Sequence, residues 1–223
     1  MENSNIHETI RDIKSKFRLF MNGMISQSMR EKGMGYKLNF GIEYPRIKEI
    51  AAEYEPNHEL AQALWKENIR ECKIMAGLLQ PVDTFYPDIA DIWIEGMDYP
   101  ELAEYTVMNL FQRLPYASEI VFRWMADECE MFQLCGFLLM ARLLMKGEKL
   151  NERAEAEFLD QAYTAIEGGS MQVQKAASVA LRKFAHQSRE SKRVVSKQLG
   201  LWMKSENPTV HALAEEIKAD LEY

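Results

Sequence analysis

Eight basic residues lie between Gln172 and Lys204, against a single acid, Glu190. The window carries +7 in a chain of 223 residues whose formal net charge is −7, which leaves −14 for the rest. Ammonium and guanidinium groups gathered this way attract phosphate or an acidic protein surface. Lys175, Arg182 and Arg189 recur every seven residues, a spacing that predicts one helical stripe, and Arg193 and Lys197 extend the series. A solvated face or a ladder of ion pairs with acidic neighbours would produce the same pattern. Arg11, Lys14 and Arg18 form a smaller set near the start of the chain, again either an extension of such a surface or a solvated helix face.

The second chemical feature has the opposite sign. Val82 to Glu130 holds 11 acids against Arg113 and Arg123, or −9. Within it D-Y-P-E-L-A-E-Y (Asp98 to Tyr105) offers Glu101 and Glu104, either of which could stabilise a developing cation electrostatically. The plainer alternative is a solvated acidic face. So acidic a segment argues against full encirclement of a polyanion.

Other chemistries lack their residues. Cys72, Cys129 and Cys135 form no C-x-x-C pair, and an odd number in apolar helical surroundings points to reduced core thiols. The four histidines are scattered, so neither a metal site nor a cofactor is expected. There is no glycine-rich phosphate loop, no G-x-S-x-G and no H-E-x-x-H. The polar, acidic start is unlike a secretory signal, and the longest apolar run, Leu134 to Met145, is interrupted by Arg142 and too short for a bilayer. The expectation is a cytoplasmic protein with no membrane contact.

The elements that must position these residues are helices. Apolar residues recur at three- and four-residue steps almost throughout, and period-two alternation is nearly absent. The pattern predicts one long amphipathic helix over 5–29, a helix over 45–54 with Pro45 in its first turn, and one long or two short helices over 60–79. Further helices are predicted over 85–95, 100–113, 116–126, 130–146, 152–167, 171–187, 189–204 and 208–221. Trp65, Trp93, Trp124 and Trp202 sit in apolar patterns as core or groove-wall residues. About a dozen helices with short turns, spaced at roughly 35 to 40 residues per pair, suit an all-α HEAT-like α-α superhelix of about six pairs. The whole chain, 1–223, is expected to form one such domain.

Four stretches, in order, carry a resemblance to the DNA alkylation repair family, the AlkD-like HEAT-repeat alkylpurine DNA glycosylases. Asn39 to Ala51 (N-F-G-I-E-Y-P-R-I-K-E-I-A) resembles the family's F-G-V-x-x-P entry. Leu60 to Leu79 resembles its L-W helix pair, Arg123 to Leu139 its W-x-x-S-x-N-x-W helix, and K-A-A-S-V-A-L-R-K (Lys175 to Lys183) its K-A-I-G-W-x-L-R-E helix. The resemblance implies a basic concave surface that holds duplex DNA. In the glycosylases an Asp, cleft tryptophans and an Arg release alkylated purines.

Carried over residue by residue, that site departs from the family pattern. Tyr99 falls at one cleft Trp, Ala103 at the catalytic Asp, Cys135 near the Arg, and Val179 at the Trp of K-A-I-G-W. The resemblance thus leaves Tyr99 and Trp124 as cleft-wall candidates and Glu101 or Glu104 as displaced carboxylates. Lys175, Arg182, Arg189, Arg193 and Lys197 are the candidate nucleic-acid contacts. The competing reading is a non-catalytic α-solenoid adaptor for a protein partner.

Overall fold

The computed structural model describes the backbone of residues 2–222 and side-chain burial for residues 5–222. The fold is all-α: 13 α-helices and two single-turn 3-10 segments account for the regular structure of the described residues. The chain divides into two compact units, Met1–Leu114 and Pro115–Tyr223.

The first unit contains α1 (Glu2–Leu19), α2 (Gly23–Glu31), α3 (Tyr44–Ala51), α4 (His58–Lys66), α5 (Arg70–Leu79), α6 (Pro87–Glu95) and α7 (Pro100–Asn109). α5 is its centre: nine of its ten residues are buried, and it packs against α3, α4 and α7. α1 buries Ile10, Ile13 and Phe17, a three- and four-residue spacing that makes one apolar face, and lies on α4. Trp65 of α4 and Trp93 of α6 stack face to face, centroids 4.1 Å apart, with the Phe85 ring edge-on to Trp93 at 4.9 Å.

The single helix expected over 5–29 is two helices. Asn22 is the reason: its side chain accepts from the backbone N–H of Met24 and Ile25, starting α2 afresh. Its own N–H donates to Phe40 O at 2.8 Å. The chain passes so close to Gly41 (φ +68°) that an added Cβ there would lie 2.2 Å from Asn22 O. The region over 60–79 is likewise a pair of helices. They part at Ile69, which bridges to Leu38, and Arg70 N–H donates to Leu38 O at 3.2 Å.

The second unit contains α8 (Ala117–Met125), α9 (Glu130–Met145), α10 (Glu152–Gly168), α11 (Met171–Ala185), α12 (Arg189–Trp202) and α13 (Pro208–Glu222). α9 is apolar on every side and packs most extensively on α11 and α8. Gly136 permits the α8 contact, since a Cβ there would meet Met125 N at 2.6 Å. α11 uses its small residues Ala176, Ala177, Ala180 and Ala185 to approach α9, α10, α12 and α13 closely. All four tryptophans are buried. Among the described residues no helix is long and apolar enough to cross a membrane.

Candidate nucleic-acid interface

α12 begins at its Ser188 cap, whose side chain accepts from Ser191 N–H. Ser191, Val195, Leu199 and Trp202 then turn inward. At 100° per residue Arg189, Arg193 and Lys197 point the opposite way, four residues apart on one exposed face. None of the three makes an ion pair among the described residues, so their charge is open to an external partner. Lys192, on the flank of that face, is already engaged: its ammonium donates to Leu221 O near the end of α13.

The seven-residue stripe expected through Lys175, Arg182 and Arg189 does not lie on one helix. α11 ends at Ala185 and the chain turns through His186, Gln187 and Ser188, so Arg189 opens α12. On α11 the outward strip is Lys175, Val179, Arg182, Lys183 and His186. Lys175 is exposed and unpaired among the described residues. Arg182 instead faces α13, 3.3 Å from Glu216 and 3.8 Å from Asp220, and His186 Nε2 lies 2.8 Å from Asp220. The acidic side of α13 therefore already neutralises the middle of the strip.

The carboxylate candidates occupy a different environment in the first unit. Glu101, in the first turn of α7, accepts from Arg70 Nε at 2.9 Å and from the second Arg70 nitrogen at 2.6 Å, a bidentate pair, and from the Tyr36 hydroxyl at 3.3 Å. Arg70 is 2% exposed, and it donates further to Ile42 O and to Glu71. Burial alone would lower the guanidinium pKa, but the bonds and charge of Glu101, then Glu71, outweigh it and raise the value. Burial, reinforced by Glu101, raises the Tyr36 phenol in turn. Glu71 receives the N–H groups of Phe40 and Ile42, so the cluster holds the 38–42 segment against α5 and α7. Its Arg70–Glu101 edge opens on a cavity of about 510 Å³, lined also by the stacked Tyr44 and Tyr105.

Glu104 lies on the outer side of α7. Partial desolvation first, and the charge of Glu101 second, raise its carboxyl above the ordinary glutamate value. Ala103 is fully buried and offers no side chain to a cleft. Tyr99 is half-buried with its ring 4.4 Å from Tyr36. Trp124, expected at a cleft wall, has no exposed surface and belongs to the core of the second unit. The structure thus brings Tyr99 and Glu101 together around Tyr36, places Glu104 outside that cluster, and groups Arg189, Arg193 and Lys197 on α12.

One region escaped the pattern reading. Residues 13–42 carry six basic residues against Glu31 alone, a +5 window in which only Lys14 and Arg18 had been singled out. Lys14 pairs with Glu67 at 2.7 Å and Lys16 with Glu53 at 2.8 Å, but Arg18 is exposed and unpaired among the described residues. A running charge sum extended to the first forty residues reveals it.

Helices packed pair upon pair, with cations displayed on the exposed face of one of them, define a helical-repeat protein. The model of the DNA alkylation repair enzyme family matches residues 13–195, and the chain belongs to that family. A solved structure, described as a new family of proteins related to the HEAT-like repeat DNA glycosylases with affinity for branched DNA structures, superposes with a TM-score of 0.77. The match covers 95% of this chain and 93% of that one at 17% identity, and it establishes the HEAT-like repeat fold. No curated protein gives a significant match.

Proposed function

We propose that this protein binds DNA through the outward basic faces of α12 and α11, with the two units working as one HEAT-like domain. The observation that carries the reading is the trio Arg189, Arg193 and Lys197: three cations on one face, each exposed, none in an ion pair among the described residues. Family membership supplies DNA as the partner class. The similar solved protein has affinity for branched DNA, which brings branched as well as linear duplex into consideration here. The family match runs through both units, which supports their acting together.

Excision of alkylpurines lacks support in the residues. Ala103 stands where the resemblance calls for the Asp, and Glu101 is committed to Arg70. Glu104 is the one candidate carboxylate left free, and we expect no release of 7-methylguanine or 3-methyladenine from methylated duplex. Release that Glu104→Gln abolished would overturn this and identify a displaced catalytic group.

The test of binding is a salt titration of a labelled duplex. Each phosphate contact adds about 0.9 to the slope of log affinity against log salt. Absence of binding at low salt would sink the DNA reading and assign the basic faces to an acidic protein partner.

A further inference from the structure

Ten large apolar side chains are exposed among the described residues, and four of them fall within six positions: Leu19 at 78%, Phe20 at 44%, Met21 at 60% and Met24 at 81%. An apolar cluster displayed this openly marks an interaction site. The turn that carries it is held firmly. Asn22 is tied to Phe40 O, caps α2 with its side chain, and lies against Gly41, where the backbones approach too closely for any Cβ. The apolar groups are therefore presented on a fixed mount between two helices.

The flanking sequence is basic, although in space Lys14 pairs with Glu67, Lys16 with Glu53 and Asp12, and Arg46 with Glu49. No acid occurs between Ile13 and Arg30, a stretch that contains Lys14, Lys16, Arg18 and Arg30 in a chain with 34 acids. Arg18 adjoins Leu19, and the Arg46 guanidinium lies 4.6 Å from the Phe20 ring centre. Phe20 thus keeps nearly half its surface open while a planar cation covers part of the ring.

We propose that the Leu19–Met24 turn is a wedge for DNA at open base steps, such as those at the branch point of a junction. The proposal rests on the DNA-binding reading above. Apolar side chains inserted between bases stabilise an unstacked step, which a continuous duplex resists and a branch point already supplies. An exposed ring with adjoining arginines matches a base face beside its phosphates. An anionic lipid surface shares the sign of charge but has no use for a stacking ring held by an arginine.

The experiment compares a four-way DNA junction with a linear duplex of equal length, binding wild type and the Leu19→Ser/Met24→Ser double variant. Both positions are about four-fifths exposed, so the fold tolerates the change. The expected result is junction affinity reduced about tenfold, with linear-duplex affinity changed less than about twofold. Wild type and variant with the same junction preference would overturn the wedge while leaving DNA binding intact. If wild type bound neither DNA at low salt, the underlying reading would fall as well. Wedge-dependent sedimentation with phosphatidylserine vesicles, or a wild-type dimer that the double variant abolishes, would reassign the turn to lipid or to a second copy.

Discussion

Arg70 and Arg193 are the same side chain put to opposite uses. Arg70 is buried and bonded to Glu101, Glu71 and a backbone carbonyl, so its charge is consumed inside the first unit. Arg193 stands in solvent on α12 with no ion pair among the described residues. The contrast teaches that local charge density does not by itself identify a binding surface. What matters is whether the fold provides internal counter-charges, and here Glu101 of α7 and Glu71 of α5 answer Arg70 while none among the described residues answers Arg193.

The contrast breaks most visibly at Arg70. Arg70→Ala leaves Glu71, with no exposed surface, without its cation and destabilises the protein by about 3–5 kcal/mol. Urea denaturation measures this, and a loss below about 1 kcal/mol would mean that the cluster is not holding the 38–42 segment. The reciprocal change is Arg189→Gln/Arg193→Gln/Lys197→Gln. It leaves urea stability within about 0.5 kcal/mol, since exposed unpaired positions contribute little. It lowers the salt slope of duplex binding by about 2.7, three contacts at about 0.9 each. An unchanged slope would remove α12 from the interface.

Lys73 sharpens the inward half of the comparison. It is 8% exposed, donates to Gly96 O at 2.9 Å and lies 4.5 Å from the centre of the Trp65 ring. Burial, only partly offset by Asp98, lowers its pKa. A depressed ammonium pKa penalises the folded state at neutral pH, and the penalty is relieved only as pH rises towards the unfolded value of about 10.4. Lys73→Met therefore leaves stability at pH 7 equal or higher, within about 1 kcal/mol. A larger loss would show that the contacts to Gly96 and Trp65 outweigh the burial of the charge.

Much of the fold was legible because apolar spacing and proline positions are local signals. The helices over 85–95, 130–146 and 208–221 lie within a few residues of α6, α9 and α13. The break at Asn22 was not legible and the one near Ile69 was only an open alternative, since both depend on the 38–42 segment reaching back to partners distant in sequence. The same limit applies to the candidate site. The spacing of Arg189, Arg193 and Lys197 is a helix-internal property that periodicity captures. The capture of Glu101 by Arg70 and the pairing of Arg182 with α13 are tertiary facts that residue type and spacing do not encode, whereas the burial of Trp124 decides between the core and groove-wall places its apolar pattern left open.

Arg182 lies between the two extremes and yields the smallest effect. Its side chain is 21% exposed and its neighbours Glu216 and Asp220 are 56% and 38% exposed, so water screens the pairs and each contributes little to stability. Its charge is nonetheless shared with α13 before any phosphate arrives. Arg182→Gln should lower the salt slope by less than about 0.5, about half of what one free cation contributes. Glu216→Gln/Asp220→Asn should do the reverse, freeing the guanidinium and raising duplex affinity about twofold to threefold at low salt. A full-sized drop of about 0.9 for Arg182→Gln would mean that it leaves α13 for the backbone on binding. No gain from the acid variants would mean that α13 merely neighbours the interface and does not compete with DNA for it.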